Sequence, residues 1–315
     1  MPRSVEFLFP YGDVRLLLRG DSVKLPRMKP THEWNREALL QSPLFAPLHA
    51  VLAAMRGDEF PSLSDCAALL AGRHPPIVVQ SGLPLRFVAQ VYGKLPFEAQ
   101  YEPRCYLKGE VPTREHNWHD LFNALVWLAF PLSKAAINAR HYRALTCACD
   151  AQESQRGAVR DMNTLFDESG VIVACADAEL VALLRDFKWK DLFWQRRAQV
   201  QANMGFYLFG HGLYEKALHP YIGLTGQGLL LMVEQEFFCW PLAQQLAYLD
   251  KRVAGYLNAE EHCRSTRELT PVPLLGIPGW AAGNECAAYY DNTRYFRPGR
   301  RDKMICSDVA RNLIA

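Results

Sequence analysis

Apolar residues recur at helical spacing through most of the chain, interrupted by short runs bounded by Pro and Gly. "HEWNREALLQ" and "PLFAPLHAVLAAM" predict helices near the start. "SLSDCAALLAG" predicts a cleaner one, with Ser62 or Ser64 as N-cap and Gly72 as its stop. "PPIVVQ", "LRFVAQ" and "EAQYEPRCYLKG" predict short strands or extended segments. A helix is expected over roughly 117–129, and Pro131 opens a second, "PLSKAAINARHYRAL", at the helical position that tolerates proline best. "NTLF", "DESG" and "VIVAC" together predict a β-hairpin, and Asp177 caps a following helix, "AELVALLRDF". Helical pattern continues over about 189–218 and 241–257. From about residue 258 the chain is rich in Pro, Gly and aromatics, which predicts an extended arm, spanning 258–315, packed on the surface of one domain. The expected class is α+β: a predominantly helical single domain with a small antiparallel sheet or hairpin.

On the helix at 117–129, Trp118, Leu121, Phe122, Leu125 and Ala129 form a core stripe. His116, His119, Asp120, Asn123 and Trp127 fall on the other side. A solvated face ordinarily draws on Lys, Glu, Gln and Arg. Short donor–acceptor side chains beside a tryptophan are costly to bury unless paired. Three readings stay open: a solvated face, a structural hydrogen-bond network, and a metal or catalytic site. Imidazole and carboxylate suit zinc, iron or manganese. If Asn117 is the N-cap, His116 falls outside the helix and Asp120 is engaged in capping.

Other pieces of chemistry lie elsewhere. Asn138 and His141 share a face of the next helix, which a proline turn brings back toward His119. His211 and Glu215 are four apart in "GFYLFGHGLYEKALHPY", with His219 four further on. If that segment is helical it is apolar nearly all round, and His211 and Glu215 are expected to be a buried pair, structural or catalytic. Asp167 and Glu168 are expected on a hairpin tip, as turn formers or as cation ligands. The resulting expectation is a metal-dependent hydrolase pocket acting on an amide or phosphoester. His116, His119 and His141 would be its metal ligands, and Asp120, Glu215 and His211 its catalytic groups, with Asp120 or Glu215 as general base. The alternative is a non-catalytic binding or interaction protein whose polar residues form a structural network.

Composition narrows the classes. The chain has 315 residues, 50% of them hydrophobic, enough for a sizeable core. A formal charge of +2 gives no general pull toward nucleic acid or anionic membrane; the one dense basic patch is Arg297–Arg301. The start of the chain lacks the pattern of a secretory signal, so the nine cysteines are expected to be reduced thiols in the cytosol. Cys147 and Cys149 form a lone C-x-C pair, read as small apolar filler. No apolar run reaches membrane-spanning length, and "GLLLMVEQEFFCW" is broken by Glu234 and Glu236. P-loop, dinucleotide-binding, nucleophile-elbow and paired C-x-x-C motifs are all absent.

Taken together, "VPTREHNWHDLFNALVWLAFP…KAAINARH", "LFDESGVIVACAD", "FGHGLYEKALHPYIGLTG" and "PLLGIPGW" resemble an uncharacterised bacterial family, the domain-of-unknown-function 3025 group, over about residues 30–300. The segment 112–141 is the most specific part of the likeness. The resemblance implies one domain of bacterial origin. The family has no assigned activity, so no site role carries over from it.

Overall fold

The computed structural model describes residues 33–146, 153–259 and 261–299. Cys147 and Cys149, and Arg300 and Arg301 of the Arg297–Arg301 patch, lie outside the described residues.

Three short helices come first: α1 (Arg36–Gln41), α2 (His49–Ala54), entered through a 3-10 turn at Pro43–Leu48, and α3 (Leu63–Ala71). Ser62 caps α3 in a reciprocal box with Asp65. A two-stranded parallel sheet follows, β1 (Arg86–Ala89) and β2 (Glu110–Thr113), with α4 (Tyr101–Lys108) as its crossover. The α4 segment was expected to be extended. It is helical because Pro103 sits in the first turn, where it removes no intrahelical bond, and left-handed Gly109 closes the other end. A Cβ at Gly109 would also lie 2.2 Å from the Pro84 carbonyl oxygen.

The remaining elements are α5 (Trp118–Ala129), α6 (Pro131–Thr146), α7 (Glu153–Ser169), β3 (Gly170–Cys175), α8 (Ala178–Arg185), α9 (Arg197–Asn203), β4 (Met204–Leu208), α10 (His211–Ala217), β5 (Thr225–Met232), α11 (Leu242–Asn258) and β6 (Thr270–Pro273). The second sheet runs β4-β3-β5-β6. β3 and β5 are parallel, and both outer pairings are antiparallel. All six residues of β3 are buried, which is why it reads as an unbroken apolar run. The class is α+β and mostly helical, as expected, but the larger sheet is mixed and contains no hairpin at "DESG".

The expected hairpin is instead a helix feeding a strand. Met162 and Phe166 are fully buried at i, i+4, so "NTLFDES" is the last part of α7. Gly170 makes the abrupt turn into β3, where a Cβ would sit 2.3 Å from the Phe166 carbonyl oxygen. The helix expected over 189–218 is likewise broken, because the aromatic run "GFYLF" pairs as β4 on β3. The Pro/Gly-rich arm does more than cover the surface. It supplies β6 and buries Leu274, Leu275, Ile277, Tyr290, Tyr295 and Phe296. The Tyr295 hydroxyl donates to the Leu224 carbonyl and accepts from the Leu275 N–H. Limited chymotrypsin digestion is therefore expected to spare 271–297 in folded protein, and rapid cleavage there would contradict this packing.

α6 and α11 are joined by charges placed at helix ends. Asp250 of α11 accepts from the first N–H groups of α6, at Leu132 and Ser133. Arg140 of α6 donates to the carbonyls of Leu257 and Ala259 at the end of α11. Each charge has the sign that its helix terminus favours. Among the described residues no single helix is long and apolar enough to cross a membrane. α5 and α6 pass that test only as a pair, bent by 114°, and most of α5 is buried in the core.

Candidate metal centre

Three helix ends meet beside the start of β3. Asn117 caps α5, accepting from Asp120 N–H at 3.0 Å, and this sets His119 in the first turn. His211 opens α10 directly after β4, with Gly210 as N-cap. Asp167 and Glu168 lie in the last turn of α7. Val171 of β3 pairs with Leu208 of β4, so the end of α7 and the start of α10 are neighbours. The approach is close: a Cβ at Gly210 would lie 2.5 Å from the backbone nitrogens of Ser169 and Gly170. One at Gly212 would lie 2.4 Å from Glu168 Oε2, so this glycine leaves the space that the carboxylate occupies.

The side chains converge. His119 Nε2 and His211 Nε2 are 3.1 Å apart. Glu168 Oε1 stands 3.7 Å from the first and 3.4 Å from the second. Glu215 Oε2 lies 3.1 Å from His119 Nδ1, within hydrogen-bonding reach, whereas Asp167 Oδ2 stands 3.6 Å from His211 Nδ1, which has no hydrogen-bond partner among the described residues. A carboxylate beside Nδ1 favours the tautomer with the proton on that nitrogen, which would leave Nε2 of His119 free to accept or to ligate. At 3.1 Å the two Nε2 atoms are close enough to share a proton as an N–H···N hydrogen bond or, with Glu168 Oε1, to hold one cation between them. His119, Glu168 and His211 are thus the residues able to hold a metal ion.

Lys134 supports this set from below. It is 3% exposed, and its Nζ lies 2.5 Å from Asp167 Oδ1. Burial pushes the Asp167 carboxyl upward, but Lys134 and His211 together outweigh it and hold the group below the usual range.

The cluster lies in a cleft of about 410 Å³. Buried Asn123 and His141 and half-buried Tyr101 and Glu102 line its inner part, and Tyr92 and Arg114 stand at its exposed rim.

Of the residues singled out in the sequence, His119 and His211 meet here. His211 is buried as expected. Glu215 is not: its side chain is 48% exposed, because α10 is a seven-residue helix with a solvent-facing side and not part of a long buried one. The two residues share a partner, His119, although they do not pair with each other. His116 is left out. It precedes the cap with φ 52°, is exposed, and packs on the Phe60 ring. Asp120 lines the cleft but is bound by Arg114 through one backbone and two side-chain hydrogen bonds. His141 lines the cleft without joining the converging atoms. His219 is exposed and outside the cleft. Asp167 and Glu168, expected on a hairpin tip as turn formers or cation ligands, lie instead at the end of α7, while Lys134 and Glu102 were missed. The glycines flanking His211 in "GHG" were the local signal that something must approach closely there.

Residues 85–300 match the model of a family described as a protein of unknown function, DUF3025. The chain belongs to that family. No curated protein and no solved structure matches it. The DUF3025 region begins at the approach to β1, so it contains every residue of the cleft and leaves α1–α3 outside.

Two groups of the DUF3025 cleft give an opposed pH dependence. Burial pushes the His141 imidazole down to about 4, and burial pushes the Glu102 carboxyl up to about 7. For His141 the unfolded chain binds the extra proton, so stability is lost as pH falls from the ordinary histidine range toward 4. For Glu102 the folded chain binds it, so stability is lost as pH rises from the ordinary glutamate range toward 7. Between about pH 4.5 and 6.5 the two effects offset each other. Glu102→Gln is expected to expose the histidine effect, with stability falling by on the order of 1–3 kcal/mol on acidification through that window. Urea denaturation of both proteins across the window checks this; parallel curves for parent and variant would refute it.

Proposed function

We propose that the chain is a metal-dependent hydrolase whose single divalent ion is held by His119, His211 and Glu168. The observation that carries this reading is the convergence of the two Nε2 atoms and Glu168 Oε1, with His119 Nδ1 backed by Glu215. The triangle has edges of 3.1, 3.4 and 3.7 Å. Tetrahedral zinc with bonds of about 2.0–2.1 Å sets its donors about 3.3–3.4 Å apart, so the donor set and spacing favour zinc. Three protein ligands leave a position open to the cleft, the arrangement used for catalysis rather than for structure. A zinc ion there would polarise the scissile bond and bring its bound water to ionise near neutrality.

Roles shift accordingly. Glu215 orients His119, so neither Glu215 nor the Arg114-bound Asp120 is needed as general base. His141 serves the cleft wall, and what favours a metal over a purely structural network is Glu168 Oε1, which completes a three-donor set beside the cleft. The test is metal analysis of protein purified without an affinity tag. About one zinc per chain is expected in the parent and in His141→Ala, with less than about a tenth of that in His119→Ala and His211→Ala. Hydrolysis of a panel of amides and phosphoesters should require the metal. Substoichiometric metal that is the same in all four proteins would remove the reading.

A further inference from the structure

The buried wall of the cleft is an array of acceptors. Asn138 Nδ2 donates to both Glu102 Oε2 and the Glu102 carbonyl, at 2.6 and 3.0 Å. This pins the carboxylate through one oxygen and leaves Oε1 without a protein donor among the described residues. Asn123 is 7% exposed and lines the same wall. Its Nδ2 donates to the Tyr101 oxygen at 2.7 Å, and its buried Oδ1 has no partner. A buried carbonyl left without a donor beside a cleft is costly unless a ligand satisfies it.

The positive charges nearby are already engaged. Lys134 is paired with Asp167, and Arg114 meets Asp120 through three hydrogen bonds. Burial keeps His141 neutral near pH 7. A phosphate or carboxylate reaching this wall would face Glu102 and Asp167 with no unpaired cation among the described lining residues. A group that brings its own positive charge and several N–H donors would satisfy both free acceptors. It would also restore the charge that burial discourages on Glu102.

We infer that the cleft takes a substrate bearing a primary amine, held as an ammonium by Glu102 Oε1 and Asn123 Oδ1 while its hydrolysable bond lies at the metal centre. This rests on the zinc reading above and adds the substrate class.

Alkyl hydroxamates separate the two layers, since the hydroxamate chelates zinc and a terminal amine tests the wall. Zinc-loaded protein is titrated calorimetrically with ω-amino alkyl hydroxamates of increasing length, each against the plain hydroxamate of equal length. At the length that spans the cleft, the amino probe is expected to bind about tenfold or more tightly than its plain counterpart. Glu102→Gln and Asn123→Ser should each bring that ratio toward one. If plain hydroxamates bind only with zinc present but no amino probe gains at any length, the amine inference is overturned and the zinc centre stands. A gain that persists in both variants overturns it too. If plain hydroxamates do not bind, or bind equally without zinc, the metal reading fails and this inference falls with it. Should either variant fail to fold, the amino-to-plain ratio in the parent still decides.

Discussion

Lys134→Met is expected to cost about 3–5 kcal/mol of stability, a large effect for one substitution. The lysine is 3% exposed and its anionic contact among the described residues is Asp167, whose other oxygen faces His211. Removing the ammonium leaves a buried carboxylate without its counter-charge, and the full desolvation cost then falls on Asp167. Two further results should accompany the loss. Acidification should narrow the gap between variant and parent, because without Lys134 the Asp167 carboxyl is pushed upward and protonation relieves it. Lys134→Met with Asp167→Asn should recover part of the stability, since the unpaired charge is gone. Urea denaturation at neutral and acid pH measures all three. A loss under about 1 kcal/mol would mean that the pair contributes no more than a surface ion pair.

Gly212→Ala is expected to separate the metal site from the fold. The added methyl would lie 2.4 Å from Glu168 Oε2, at the flexible end of a side chain, and 3.1 Å from the Glu168 carbonyl. The carboxylate can swing away, while alanine is intrinsically favoured over glycine in a helix by about 0.5–1 kcal/mol. Stability should thus change by less than about 1 kcal/mol. Zinc affinity, read by competition with a chelator, should fall at least about 100-fold, approaching the loss in Glu168→Gln. Unchanged affinity in Gly212→Ala would remove Glu168 from the ligand set.

Local features of this chain were legible where neighbours along the sequence decide them. The Ser62 cap, the Asp177 cap and the proline start of α6 each depend on a few adjacent residues. So did the composition of α5, whose polar side does face a cleft at His119 and Asn123. Short apolar runs were not legible. "VIVAC" and "GFYLF" fit a buried strand or a buried helix equally well by pattern, and only pairing with a distant strand selects between them. The same limit hid where Glu168 points, though not its candidacy as a cation ligand. Once "DESG" is read as a turn, its carboxylates point to solvent; as the end of α7 they point at His119 and His211. The partners of His119 are 92 and 96 residues away, beyond any periodicity.

The position of β6 bears on how the chain comes off the ribosome. β5 pairs with β3 on one side, and residues 270–273 pair with Thr225–Gly228 on its other edge. Until that segment emerges, the "TGQG" half of the strand presents unpaired backbone groups. All residues of the cleft have been synthesised by then. The nascent chain therefore passes through a stage in which its chemistry is assembled while its sheet is open to pairing with another chain. A truncation that ends before Thr270 would hold it at that stage, with the β5 edge open and the core contacts of Leu274, Tyr290 and Phe296 missing.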